Sequence, residues 1–127
     1  MNSIRFLSPT IHGVLDYLAA VALIVAPFIL GFDGLAVWLS VAGGAGLIVY
    51  SLLTDYAYSI APVLSFKTHL ALDLAAGSAF VIAPFIFGWT GLVMGYYFVM
   101  AAGVFVQVAL TNTSPSIVGT YGVSADA

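Results

Sequence analysis

Four apolar runs dominate the chain, at about residues 10–32, 35–54, 68–89 and 91–111. Each is close to the roughly 20 residues that a helix needs to cross hydrocarbon. Gly31-Phe32-Asp33-Gly34 separates the first two runs, and Gly88-Trp89-Thr90-Gly91 separates the last two. Glycine adopts the positive φ that ends a helix and reverses the chain, so both tetrads predict tight turns. A longer connection, about 55–67, holds Asp55, Pro62 and Lys67. The pattern predicts an all-α fold: a four-span transmembrane helical bundle made of two helical hairpins. Ser8 before Pro9 suits an N-cap followed by proline in the first turn. Pro27 and Pro84 fall about one turn before the far ends of the first and third spans, where each frees one carbonyl.

The few polar positions inside these runs recur. Shifting the chain by 57 residues aligns 7–54 with 64–111 without a gap, and 19 of the 48 positions are identical. Ser8, His12, Asp16, Pro27, Gly31, Gly34 and Thr54 return as Ser65, His69, Asp73, Pro84, Gly88, Gly91 and Thr111. Shared hydrophobicity alone does not reproduce His, Asp, Pro and Gly in register. The chain therefore reads as a duplicated hairpin, one membrane domain over 1–111 followed by a polar tail over 112–127. Each unit crosses twice, so both units enter from the same side, and the repeats are parallel about an axis along the membrane normal. An N-terminal segment that aligns to the middle of the chain reads as part of the folded unit and not as a cleaved leader.

Composition strengthens the membrane reading. The chain is 63% hydrophobic and 6% charged, against roughly 25% charged in a soluble domain. Net charge is −3 with two basic residues, so no basic patch exists for nucleic acid. Cysteine is absent, which removes thiolate ligands, disulfides and cysteine nucleophiles. Arg5 and Lys67 share one side of the bundle, and the two short turns carry only Asp33. The positive-inside rule then places both termini in the cytoplasm. Phe28, Phe32, Trp38, Phe85, Phe87 and Trp89 gather at the opposite interface as an anchoring belt, and Tyr50, Tyr56 and Tyr58 suit the cytoplasmic one. Ala42-Gly43-Gly44-Ala45-Gly46 and Ala101-Ala102-Gly103 are small surfaces for close helix packing, within the bundle or between subunits.

The blocks Ala26-Pro27-Phe28-Ile29-Leu30-Gly31-Phe32 and Ala83-Pro84-Phe85-Ile86-Phe87-Gly88-Trp89 resemble the SPW repeat, a two-helix unit of small bacterial membrane proteins often found in tandem. Alanine stands where that family has serine, and phenylalanine where it has tryptophan. The resemblance covers both hairpins and implies the architecture and a bacterial inner-membrane location; it implies no activity.

The candidate site is His12, Asp16, His69 and Asp73. Residues four apart share a helix face, and the duplication puts both pairs at one depth. If the first and third spans meet at the axis, the four side chains converge just inside the cytoplasmic interface. Ionisable groups in spans seldom face lipid. Four readings are open: a hydrogen-bonded lock on helix register, a divalent metal site, haem held by His12 and His69 as axial ligands, and proton-coupled transport or relay, with lipid or quinone binding as the remainder. Gln107 has no repeat partner and suits an inter-helix hydrogen bond. Asp55 and Asn112 are equivalent; Asp55 reads as a solvated loop residue, with a salt bridge to Lys67 or Arg5 as the alternative. No phosphate loop, hydrolase triad pattern or zinc-protease motif occurs. The leading expectation is a non-enzymatic membrane protein of structural or interaction type, with the bilayer and a homo-oligomer or membrane-protein partner around it. The alternative is a haem-, metal- or proton-handling protein that uses the same four residues.

Overall fold

The computed structural model describes residues 5–56 and 59–113. It contains four helices, α1 Pro9–Ile29, α2 Gly34–Leu52, α3 Phe66–Phe87 and α4 Gly91–Leu110, all long and apolar enough to cross a membrane. Ser8 Oγ accepts the Ile11 amide at 3.2 Å and Ser65 Oγ accepts that of Thr68 at 3.1 Å, so both odd helices begin on a serine cap. The turns close as their glycines predict. Gly31, Gly34, Gly88 and Gly91 all have positive φ, between 58° and 76°. Beyond Thr113 the polar tail lies outside the described residues, as does Tyr58.

Each hairpin packs closely within itself, α1 on α2 and α3 on α4, while α2 and α3 touch sparingly. Glycine permits the close approach. A Cβ on Gly44 would lie 2.7 Å from the Ala20 carbonyl oxygen, and one on Gly77 would lie 2.7 Å from Val104 Cγ1. The small-residue stripe is thus only partly a seam: a Cβ on Gly46 or Gly103 would meet nothing within 4 Å. Gly77 completes the second seam, which the stripe on span four did not reveal.

The two hairpins are joined at both ends. At the polar end, the segment entering each odd helix pairs with the segment leaving the even helix of the other repeat. Leu7 N–H donates to the Leu110 carbonyl at 3.0 Å and Asn112 N–H to the Leu7 carbonyl at 2.7 Å. Leu64 and Asp55 repeat this pairing, each at 2.8 Å, with Leu64 donating to Leu53 and Asp55 to Leu64. At the far end, Pro27 lacks the N–H that would bond the Leu23 carbonyl. Ser40 Oγ supplies the missing donor at 2.7 Å. That spends the only serine proton, so the Tyr96 phenol, 2.6 Å away, donates to Ser40 Oγ. Tyr97 OH donates across the gap to the Ala36 carbonyl at 2.6 Å. Trp89 packs on Tyr97 and Phe28 on Trp38, which leaves the belt aromatics half in the bundle and half outside it.

Candidate functional site

His12 and Asp16 on α1 meet His69 and Asp73 on α3, and all four side chains are essentially fully buried. Ligand atoms from the four residues lie within 4.8 Å of one another. The shorter pairs cross between the repeats. His12 Nε2 lies 3.0 Å from Asp73 Oδ2, and His69 Nε2 lies 2.6 Å from Asp16 Oδ2. The within-helix pairs are longer, 3.3 Å for His12–Asp16 and 3.5 Å for His69–Asp73. The His-x-x-x-Asp spacing brings the partners onto one stripe, but each imidazole points at the other repeat's carboxylate.

The other ring nitrogens face two threonines, again swapped. His12 Nδ1 lies 2.7 Å from Thr111 Oγ1 and His69 Nδ1 lies 2.8 Å from Thr54 Oγ1. Each threonine hydroxyl also sits 2.5 Å from the carbonyl one turn back, Gln107 for Thr111 and Tyr50 for Thr54. A carbonyl cannot donate, so the hydroxyl proton goes to it. The threonine oxygen is then left only as an acceptor, and Nδ1 of both histidines carries the proton. The threonines thereby set the tautomer and turn both Nε2 atoms toward the centre.

The outer carboxylate oxygens are held in the same manner. Tyr50 OH donates to Asp73 Oδ1 at 2.6 Å, and Gln107 Nε2 donates to Asp16 Oδ1 at 2.9 Å and to the His12 carbonyl at 3.0 Å. With both Oδ1 atoms occupied, both Oδ2 atoms face inward. One proton therefore lies between each Nε2 and its partner Oδ2, and each cross-repeat pair is neutral as a unit whichever atom holds that proton.

Tyr50 and Gln107 are repeat-equivalent, 57 residues apart, and they do the same work with different chemistry. Gln107 makes the inter-helix bond its composition suggests, and it does have a repeat counterpart. Tyr50 turns inward and is not an interfacial anchor. Tyr56 departs from the belt too: it is 4% exposed, its ring lies 5.4 Å from His69, and burial pushes its phenol above the usual range. Phe66 stacks 5.8 Å from His69 and meets His12 edge-on at 5.3 Å. These two rings seal the cluster, and a low local dielectric strengthens every bond inside it. Asp55 makes no ion pair with Lys67 or Arg5; Arg5 Nη1 donates to the Thr111 carbonyl at 3.1 Å.

Beyond the cluster, a cavity of about 440 Å³ separates the hairpins. Its walls are apolar, with Leu23, Leu47 and Phe80 among them, and Asp16, Tyr50 and Gln107 form its polar end.

The geometry bears differently on the chemistries open at the outset. An axial haem pair needs a slot for the macrocycle between two Nε2 atoms. Here each Nε2 abuts a carboxylate and the imidazoles pack edge to face at 5.4 Å, so the residues do not fit a porphyrin. A hydrogen-bonded lock, proton sharing and coordination of a small ion all suit the inward-facing N₂O₂ donor set. Comparison with family models, curated proteins and solved structures gave no match to this chain.

Proposed function

We propose that this protein is a small structural or interaction component of a membrane, non-enzymatic, in which the His/Asp cluster clasps two hairpins into one bundle. The observation that carries this reading is the swap. His12 is completed by Asp73 and Thr111, and His69 by Asp16 and Thr54, so every strong polar bond of the cluster's histidines runs between repeats. Elsewhere the hairpins meet through backbone pairing at the polar end, tyrosine hydrogen bonds at the far end and apolar contacts beside a cavity, and the clasp adds the buried polar contacts between them. Hydrogen bonds across helices are a main source of association where lipid removes the hydrophobic driving force. The resemblance to the SPW repeat supports placement in a bacterial inner membrane, and Arg5 and Lys67 support cytoplasmic termini. The apolar outer faces of the helices suit lipid, a second copy or another membrane protein.

The test is the thermal stability of His12→Ala and His69→Ala in detergent. Both should melt well below the parent and by comparable amounts, because the two halves are near-equivalent. If both melt with the parent, the clasp is not what holds the hairpins.

A further inference from the structure

The same cluster has the donor arrangement of a closed ion site. Four atoms, two imidazole Nε2 and two carboxylate Oδ2, converge from two helices. Each donor residue is steered from behind by a named partner: Thr111 and Thr54 on the imidazoles, Gln107 and Tyr50 on the carboxylates. A metal-bound histidine commonly donates its other ring N–H to an oxygen, which fixes the ring and raises its basicity. Both histidines already do so. Around an ion with bonds of about 2.0–2.2 Å, tetrahedral ligand atoms stand roughly 3.3–3.6 Å apart. The within-helix edges, 3.3 and 3.5 Å, are already at or close to that spacing. The cross-repeat edges, 3.0 and 2.6 Å, must open by a few tenths of an ångström to about one.

Charge selects the ion. Two carboxylates and two neutral imidazoles around a divalent cation sum to zero, which a site sealed inside a membrane tolerates, whereas a monovalent or trivalent ion leaves a net charge there. Nitrogen and oxygen donors without thiolate suit first-row divalent ions, with Zn²⁺ the natural match to four protein ligands and no open position. We propose that His12, Asp16, His69 and Asp73 form a binding site for one divalent transition-metal ion of the Zn²⁺ class, which replaces the two protons shared in the cross-repeat pairs. The exchange balances: one dication enters, two protons leave, and the buried charge does not change. Thr54 and Thr111 are positioning residues in this site. The inference goes beyond the clasp and does not depend on it.

The experiment uses the full chain in detergent, loaded with Zn²⁺ and freed of excess by gel filtration, with Co²⁺ as a spectroscopic substitute. The expected result is about one metal ion per chain by elemental analysis, and visible d–d absorption of tetrahedral intensity with Co²⁺. Asp16→Asn combined with Asp73→Asn should lose the stoichiometric metal while the protein stays folded. An asparagine amide can donate to the bare Nε2 and still accept from Gln107 or Tyr50, so the neutral clasp survives without its anionic ligands. Thr54→Val should weaken metal affinity by about tenfold or more, as loss of an outer partner does. A folded parent that holds no stoichiometric metal overturns the proposal. So does metal that the double asparagine variant retains. The readouts separate the two ideas: the clasp is judged by the melting of the histidine variants, the ion site by metal content in the asparagine variant.

Discussion

Double-mutant cycles on His12 give the sharpest test of the swapped pairing. One cycle couples His12→Ala with Asp73→Ala, across the repeats; the other couples His12→Ala with Asp16→Ala, within α1. The cross-repeat contact is 3.0 Å and the within-helix contact, at i,i+4 spacing, is 3.3 Å; both are fully buried. A hydrogen bond involving a charged group contributes about 1.5–3 kcal/mol in soluble proteins, and polar pairs in membrane bundles reach at most about 1.7 kcal/mol. The expected coupling for His12–Asp73 is therefore about 0.6–1.7 kcal/mol. An i,i+4 pair on an isolated helix contributes about 0.2–0.5 kcal/mol, and the longer His12–Asp16 contact should couple by less than His12–Asp73. Each single alanine should cost more than either coupling, roughly 2–4 kcal/mol, because it also strands a buried partner. The cycle cancels that excess.

Reversible unfolding in mixed micelles is the assay, followed by tryptophan fluorescence. Trp38 at the start of α2 and Trp89 at the turn before α4 report on separate hairpins. A within-helix coupling equal to or above the cross-repeat one would refute the swap, and with it the idea that the histidines bind one repeat to the other. Near-zero coupling in both cycles would remove the clasp altogether.

Three further outcomes follow from particular contacts. Gly44→Ala should destabilise by about 1–3 kcal/mol, since its Cβ would press within 2.7 Å of the Ala20 carbonyl, while Gly46→Ala, which meets nothing within 4 Å, should be neutral or slightly stabilising in the same unfolding assay. Tyr50→Phe should cost about 1–2 kcal/mol by removing the donor to Asp73 Oδ1, and Gln107→Leu at least as much, since it removes two donated bonds; a silent Tyr50→Phe would put the phenol back in the interface. The proposed cytoplasmic termini predict that a green fluorescent protein fused after Ala127 fluoresces in bacterial cells and that an alkaline phosphatase fused there is inactive; the opposite pair of results reverses the topology.

The architecture was legible because lipid restricts the options: long apolar runs can only be spans, and glycine tetrads between them can only be turns. His12, Asp16, His69 and Asp73 were legible for a related reason, as polar residues repeated in register where polarity is costly. Their partners were hidden by plausible local roles. Thr54 and Thr111 recur at the same offset, yet a threonine at the end of a span can satisfy itself on the carbonyl one turn back, and both do. Tyr50 near a helix end reads as an interfacial anchor, and Gln107 reads as solitary because its counterpart is not identical. Applying the 57-residue offset to unlike residues would have paired them. The swap had no local signal. The i,i+4 spacing favours pairing within a helix, and what overrides it is the docking of Leu7 on Leu110–Asn112, from opposite ends of the membrane domain, and of Leu64 on Leu53–Asp55 across the connection between the repeats.

These contacts make the chain a covalently linked pseudo-dimer. Neither hairpin holds a complete site, because each supplies a His and an Asp on its odd helix and a Thr just past the end of its even helix that serve the other. A single hairpin could build the same site only by pairing with a second copy about a two-fold axis. Two identical copies would then carry the same residue at the position of Tyr50 and Gln107. Fusion of the units lifts that restriction, and the chain uses the freedom there: Asp73 receives a phenol and Asp16 an amide that also bonds the His12 carbonyl. The two halves of the cluster are consequently inequivalent, 3.0 Å in one cross-repeat pair and 2.6 Å in the other. Exchanging the two donors, Tyr50→Gln with Gln107→Tyr, should therefore preserve the fold more nearly than either replacement alone, because the exchange keeps one phenol and one amide beside the shared cavity, whereas a single replacement leaves two of a kind there. A double exchange less stable than both single variants would show that the phenol and the amide are fitted to their own halves and are not interchangeable about the axis.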